Sequence, residues 1–436
     1  MIGTMALRTG PAADGALALT QAQLGVLLGQ QLAGDDSVFH AAEYTVIEGA
    51  FEVEHCKLAL HTTLQEAGAL HLRIVERDGV YQQHLLAPPP LALPTLDVED
   101  QSDEVFAATL RVDAARPFDA ETGNLFEHRL YRRGAHHHVW LHRAHHLLLD
   151  GYGFQLVARR VATHYAARLG GHTAAPARFG ELAAVVSADA AYQASAARDA
   201  DRHFWLTRLA GLQPVSLCPA PTPGIGRGRR IAGELPATTV SALQHCAVAL
   251  DLSWPELVIA AYAGYLARHG HGRDVVLGLP VMQRLGGAVA RAPCTAMNVM
   301  PLPVAEAATQ SLAGLARALR VEMPQLRAHQ RYRFEQLEGD LEEAGYPPGL
   351  LGTEINVMPF ESPARFGACR AHTRTLAAGP VEDLAAIFTA RGGAIDFDLD
   401  GRPQNYDDTT LRAHHQRISD FLATALKQPE RSLAEI

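Results

Sequence analysis

The sequence predicts an α+β protein built from two lobes, on three observations. Its 436 residues exceed what one hydrophobic core organises and suit two domains of about 200 residues each. Strand-like and helix-like segments are mixed through both halves without strict alternation, which argues against a doubly wound parallel sheet. Gly170-Gly171 and the Ala/Pro-rich stretch to Ala177 punctuate the chain, so the lobes are expected over residues 1–175 and 176–436.

In the first half, residues 20–32 read as a helix with Thr20 as N-cap. Residues 39–47 read as a strand, 57–66 as a helix and 71–76 as a strand. Residues 126–132 and 138–143 read as paired strands with Gly134 in their turn. Beyond Asp150-Gly151, the side chains Phe154, Val157, Val161 and Tyr165 recur at helical spacing. In the second half, residues 219–230 form a loop dense in Pro, Gly and Arg. Ser253 and Glu256 make a capping box ahead of a helix to residue 268. Residues 274–281 and 296–304 are apolar runs suited to buried strands. Leu312, Leu315 and Leu319 share a helical face, and Pro324 is expected to end or kink that helix. Ile395, Phe397 and Leu399 alternate with Asp396, Asp398 and Asp400, the period of a half-buried strand, and Gly392-Gly393 supplies the turn before it. A last helix covers residues 408–426 with Leu411, Ile418, Leu422 and Leu426 inward.

Composition removes several function classes. A net charge of −9 lacks the cationic footprint of a nucleic-acid binder, so no nucleic-acid partner is expected. No segment reaches the roughly 18–20 uninterrupted apolar residues of a membrane helix, and residues 1–15 carry no apolar signal core, so the expected location is the cytoplasm. Cys56, Cys218, Cys246, Cys294 and Cys369 are scattered, suit neither a disulfide framework nor a zinc site, and read as free thiols. His136-His137-His138 lie beside a strand, where consecutive side chains diverge; no metal is expected. His414-His415 fall mid-helix with no Asp-Gly following and read as solvated surface.

The segment that carries chemistry is His145-His146-Leu147-Leu148-Leu149-Asp150-Gly151, set between a predicted strand and a predicted helix. A neutral imidazole takes a proton or orients an amine at working pH. Only one of two adjacent histidines in an extended segment faces a given cleft. An acid four residues on can fix the loop or orient a ring, and a glycine after it lets a substrate approach the backbone. By local chemistry alone this run reads either as a catalytic loop or as two surface histidines in a turn.

The pattern HHxxxDG in a chain of this size resembles the condensation domain of nonribosomal peptide synthetases. Further segments resemble that family in order along the chain: Ala22-Gln23, Leu-His-Leu-Arg-Ile at 70–74, Met282-Gln283-Arg284-Leu285-Gly286, Asn298 to Pro303, HQRYRFEQ at 329–336, EINVMPF at 354–360, and Asn405-Tyr406-Asp407. RAHHLLLDGYG, NVMPFESP, RLGG and LAAGPVEDL are similar to segments of the branch that handles aryl acids in the assembly of siderophores such as vibriobactin and enterobactin. The resemblance implies two chloramphenicol-acetyltransferase-like lobes in a V-shaped pseudo-dimer, with the active site in a tunnel between them. It implies amide formation between a carrier-bound, aryl acyl thioester and an amine. The donor partner would be an aryl or acyl carrier protein, and the acceptor a peptidyl carrier protein or a free amine. No cofactor would be bound, the phosphopantetheine being carried by the partner carrier proteins, and the protein would be monomeric. His146 would position the amine or take its proton, and the Gly151 N–H would stabilise the oxyanion. His145 and Asp150 would be mainly structural, Asp150 pairing with Arg284 from the other lobe. Asn356 would line the tunnel. Asn298 reads as structural and stays outside the site. The alternative is a free-standing acyltransferase using coenzyme A on a small amine or alcohol. His145, rather than Asp, argues against a heterocyclising relative, and Leu285 stands where some free-standing members carry an aromatic residue.

Overall fold

The computed structural model describes residues 8–9, 15–88, 93–118, 123–176, 179–346, 349, 351–359 and 364–436. Ala177 of the expected boundary, most of residues 1–15, and Phe360 to Pro363 of the motif segments lie outside them. The chain forms two compact units: Met1–Ala194, Met282–Met297 and Ser362–Gly379 make the first, and Ser195–Val281, Asn298–Glu361 and Pro380–Ile436 the second. This differs from the expected contiguous lobes 1–175 and 176–436. Helix Leu182–Gln193 stays with the first unit because Leu182 and Val185 enter its core. Ala292, Cys294 and Phe366 enter the same core from much later in the chain.

The first unit is organised by a five-stranded sheet in the order Arg370–Ala378, His40–Glu48, His137–His145, Phe126–Gly134, Thr95–Asp97. Its pairs are antiparallel except the last, which is parallel. Helices Val53–Glu66 and Gly151–Leu169 pack on one face over Ile47, Trp140 and Phe366. Helix Asp103–Ala115 covers the other face over Tyr131, Val139 and Leu141. Helix Gln21–Ala33 starts on a capping box in which Thr20 and Gln23 satisfy each other's backbone N–H groups.

The second unit holds a mixed six-stranded sheet ordered Arg229–Ile231, Ala394–Gly401, Leu384–Arg391, Thr353–Met358, Val275–Val281, Asn298–Val304. The edge strand Arg229–Ile231 starts inside what reads as a loop. Helices Ala237–Leu250, Trp254–His269, Leu312–Ala328 and Asp408–Lys427 supply Leu243, Tyr262, Leu315 and Leu422 to its core.

Three expectations change here. The helix over Pro324 continues to Ala328, because the fully buried Leu326 anchors the turn beyond the proline. The strand Ala394–Gly401 is buried on both faces: Asp396 and Asp400 are covered and pair with Arg391 and Arg230. His414 and His415 are not open surface, the first being buried and the second half-buried. His414 is buried with Nδ1 2.9 Å from the Tyr265 hydroxyl, and His415 stacks on Phe397 while its Nε2 donates to the Phe397 carbonyl at 2.8 Å.

Asn298 has a complete structural role. Its amide nitrogen donates to the carbonyls of Gln330 and Tyr332 at 2.9 and 2.8 Å, and its oxygen accepts the Phe334 N–H at 3.0 Å. One side chain thus ties strand Asn298–Val304 to the turn before helix Phe334–Glu343. Asn298→Ala orphans three buried backbone groups and should lower the unfolding free energy by about 2–4 kcal/mol in urea titrations.

Candidate active site

Strand His137–His145 and helix Gly151–Leu169 position the HHxxxDG segment, with a tight turn between them. The strand's last residue, His145, is buried and stands opposite His40 in the register, the two rings meeting edge-on at 5.7 Å. His145 Nδ1 accepts the Leu147 N–H at 3.1 Å, which bends the chain into the turn and leaves the ring proton on Nε2. Burial, then the neighbouring His40 and His146, push its pKa down to about 3. The turn is also held from the first helix. Gln23, the second residue of the Ala22-Gln23 motif, donates Nε2 to the Leu147 carbonyl at 3.3 Å and exchanges amide hydrogen bonds with Gln83 at 2.8 and 3.0 Å. The sequence contained this motif but no signal of its role.

His146 lies just past the strand and is 7% exposed. Each of its ring nitrogens faces a carbonyl oxygen: Nδ1 is 3.0 Å from Leu149 and Nε2 is 3.3 Å from Ala378. Burial lowers its pKa, against the opposing pull of the two carbonyls and Asp150, so the ring is neutral near pH 7. A neutral ring has one N–H. The shorter contact assigns it to Nδ1, leaving the Nε2 lone pair free to take a proton. The carbonyl facing Nε2 is delivered by strand Arg370–Ala378, whose register shifts between Thr375 and Ala377 just before it ends. Such a bulge re-aims the chain. The following residue, Gly379, adopts φ +102, and a Cβ there would lie 2.8 Å from His146 Nε2. Only glycine fits on both counts.

Asp150 is the N-cap of helix Gly151–Leu169 and accepts the Gly153 N–H at 2.8 Å. The same carboxylate takes Arg284 Nη2 at 2.8 and 2.9 Å and the backbone N–H groups of Ala296 and Met297 at 2.9 and 3.0 Å. Arg284 also donates to the carbonyls of Val289, Ala292 and Cys294. Its side chain and that of Asp150 are 5% and 2% exposed. Burial opposes the arginine's charge, but Asp150 and Cys294 beside it together outweigh this and raise its pKa. Arg284 is carried by Met282–Met297, which belongs to the same compact unit as Asp150, not to the other lobe. The fold brings that segment back across the first core, a long-range return that no local pattern announces.

Gly151 is exposed, and a Cβ there would meet nothing within 4 Å. It heads the helix, where backbone N–H groups have no intrahelical acceptor. Asn356 is not part of this hydrogen-bonded cluster. It lies half-buried on strand Thr353–Met358 of the second unit, opposite Ile387. Among the described residues no group of three or more His, Cys, Asp or Glu could hold a metal ion.

A family model described as "Condensation domain" matches residues 13–436. The chain belongs to the condensation domain family. It is 36% identical over 93% of its length to a dimodular nonribosomal peptide synthase of Bacillus subtilis, of which the match covers 17%. It is 35% identical over 96% of its length to an isonitrile lipopeptide synthase of Streptomyces coeruleorubidus, covering 29% of that protein. It is 29% identical over 95% of its length to enterobactin synthase component F of Escherichia coli, covering 32% of that protein. The chain therefore spans less than a third of these curated relatives. Among solved structures, the first condensation domain of the calcium-dependent antibiotic synthetase, in complex with a substrate analogue, aligns with TM-score 0.89 at 28% identity over 97% of this chain and 99% of that one. The starter condensation domain of rhizomide synthetase, in a mutant complexed with C8-CoA, aligns with TM-score 0.88 at 32% identity over 97% of this chain and 98% of that one.

Condensation domains form amides with no bound cofactor, the phosphopantetheine being carried on partner carrier domains. Among the described residues of this condensation domain, no single helix is long and apolar enough to cross a membrane.

Two measurements probe the frame around His146. Removing one partner of a buried ion pair leaves an uncompensated charge, so Arg284→Ala should cost about 3–5 kcal/mol in urea unfolding. The second concerns acid. His145 binds its proton more weakly folded than unfolded, so its contribution to stability is complete above pH 6.5 and lost as pH falls toward about 3. Between pH 7 and 4, the stability difference between wild type and His145→Gln should shrink as the pH drops; a constant difference would contradict this.

Proposed function

We propose that the protein joins an aryl acyl group, held as a thioester on the phosphopantetheine arm of a carrier protein, to an amine, and that it works as a monomer in the cytoplasm. The acceptor is the aminoacyl group of a peptidyl carrier or a free amine. The observation that carries the reading is the placement of His146 between two carbonyl oxygens, 3.0 Å from one and 3.3 Å from the other. The neutral ring satisfies only the Leu149 side. Once Nε2 takes a proton, the ring donates to both carbonyls, so the geometry favours the imidazolium that forms when an amine gives up a proton.

The chemistry then balances. The amine nitrogen attacks the thioester carbonyl and its proton passes to Nε2. The C–N bond forms, the C–S bond breaks, and the proton leaves with the pantetheine thiolate. The Gly151 N–H, at the head of its helix where N–H groups lack an intrahelical acceptor, supplies a donor for the oxyanion. Asp150 and Arg284 act indirectly by fixing the turn that carries the imidazole. Asn356 is assigned to the substrate-lining surface, on the resemblance of its segment EINVMPF to the family's motif.

Mixing the purified protein with a dihydroxybenzoyl-loaded carrier protein and a panel of amines should give amide, detected by mass. His146→Ala should reduce the rate by about 10²–10⁴. Absence of product with every amine would overturn the proposal. The same assay with the acyl-CoA in place of the loaded carrier separates it from a coenzyme A-dependent acyltransferase, for which both donors would perform alike.

A further inference from the structure

By strand alternation, Val139, Leu141, Arg143 and His145 share the face of strand His137–His145 that helix Asp103–Ala115 covers. Val139 and Leu141 join the small apolar core there. Arg143 does not: it is a charged side chain only 4% exposed, two residues before His145. A buried guanidinium must be fully bonded to be tolerated. Its Nε and Nη2 both donate to Glu127, its partner on the neighbouring strand, at 3.0 and 2.7 Å. Its Nη1 donates to the Arg116 carbonyl, just past the end of the covering helix. Arg116 and Arg129 pair with the same Glu127 carboxylate. Burial pushes that carboxyl up, but the three guanidiniums outweigh it and bring it down to about 2, so the cluster stays charged across the neutral range.

The same guanidinium lies over the Phe118 ring, 4.1 Å from its centre. Phe118 meets the His40 ring edge-on at 4.8 Å, and His40 meets His145 edge-on at 5.7 Å. Each ring in this row is packed on the next, so the position of one depends on the one behind it. The row ends on two contacts that shape the turn. His145 Nδ1 accepts the Leu147 N–H at 3.1 Å. The Phe39 carbonyl, adjoining His40, accepts the His146 N–H at 2.8 Å.

We infer that Arg143 is a positioning residue for amide formation: it fixes Phe118 and, through the rings of Phe118, His40 and His145, sets the place of the His146 imidazole. This rests on the reading of His146 as proton acceptor and adds to it the group that aims the ring. Arginine suits the task and lysine does not. A planar fork bonds Glu127 and the Arg116 carbonyl while offering its flat face to an aromatic ring; an ammonium is a point charge with no such face.

The test measures kcat and KM for a donor and an amine that wild type turns over, in Arg143→Lys, Phe118→Leu and the double variant. Lysine keeps a charge beside Glu127 and leucine keeps an apolar side chain; circular dichroism checks that each folds. Each single change should lower kcat by about ten-fold or more while both KM values stay within about two-fold, the mark of a displaced proton acceptor and not of lost substrate binding. The double variant should lose at most about two-fold beyond the worse single one, since both changes break the same row. Wild-type kcat in Arg143→Lys would overturn the inference and leave Arg143 as a partner of Glu127 alone. So would losses that multiply in the double variant, or that fall on KM. Proton–nitrogen correlation spectra of the histidine rings give a second readout that needs no turnover. Wild type should show His146 with its proton on Nδ1, the signal being the one lost in His146→Gln, and the variants an averaged tautomer. An unchanged spectrum in the variants would overturn the inference. No amide from wild type with any amine would instead sink the underlying reading, and the spectra would still decide whether Arg143 places the ring. Should one single variant fail to fold, the other decides.

Discussion

The carboxylate of Asp150 is the point on which the site depends. It caps a helix, neutralises a buried arginine and accepts the N–H groups of Ala296 and Met297, so three stretches of chain meet at one group. A buried pair of this kind contributes little net stability over an apolar alternative. Its value is geometric: with both oxygens occupied, the turn from His145 to Asp150 has one arrangement. The imidazole of His146 is held by that turn and not by a partner carboxylate of its own.

The two histidines show how neighbours acquire different tasks. Both are buried and both are held neutral. His145 spends its Nδ1 lone pair on the turn, and its ring is enclosed beside His40. His146 spends an N–H on Leu149, which leaves a lone pair at Nε2. The difference is one residue of register at the end of a strand, where extended backbone gives way to a turn.

Much of this was legible in the sequence. Thr20, Ser253 and the paired strands before His145 announce themselves through local chemistry, because capping and alternation act over a few residues. HHxxxDG and its flanking elements placed His145, His146, Asp150 and Gly151 for the same reason. What escaped involves distant segments. The seam between units does not follow chain order, since apolar burial at Ala292 and Phe366 decides it. His414 and His415 looked solvated because their cover, Tyr265 and Phe397, comes from elsewhere in the chain. Gly379 carried only a Gly-Pro turn signal. Its proximity to an imidazole 233 positions earlier is a property of the sheet, through the pairing of strands Arg370–Ala378 and His40–Glu48.

That assembly bears on how such domains can be recombined. The His146 ring, the guanidinium that steadies its turn and the carbonyl that faces it come from Met1–Ala194, Met282–Met297 and Ser362–Gly379. A chimaera exchanging only the first stretch would inherit the histidine and pair it with foreign versions of Arg284, Ala378 and Gly379. Grafts between synthetases that respect the architecture must therefore transplant three separate pieces together, or keep all three from one parent.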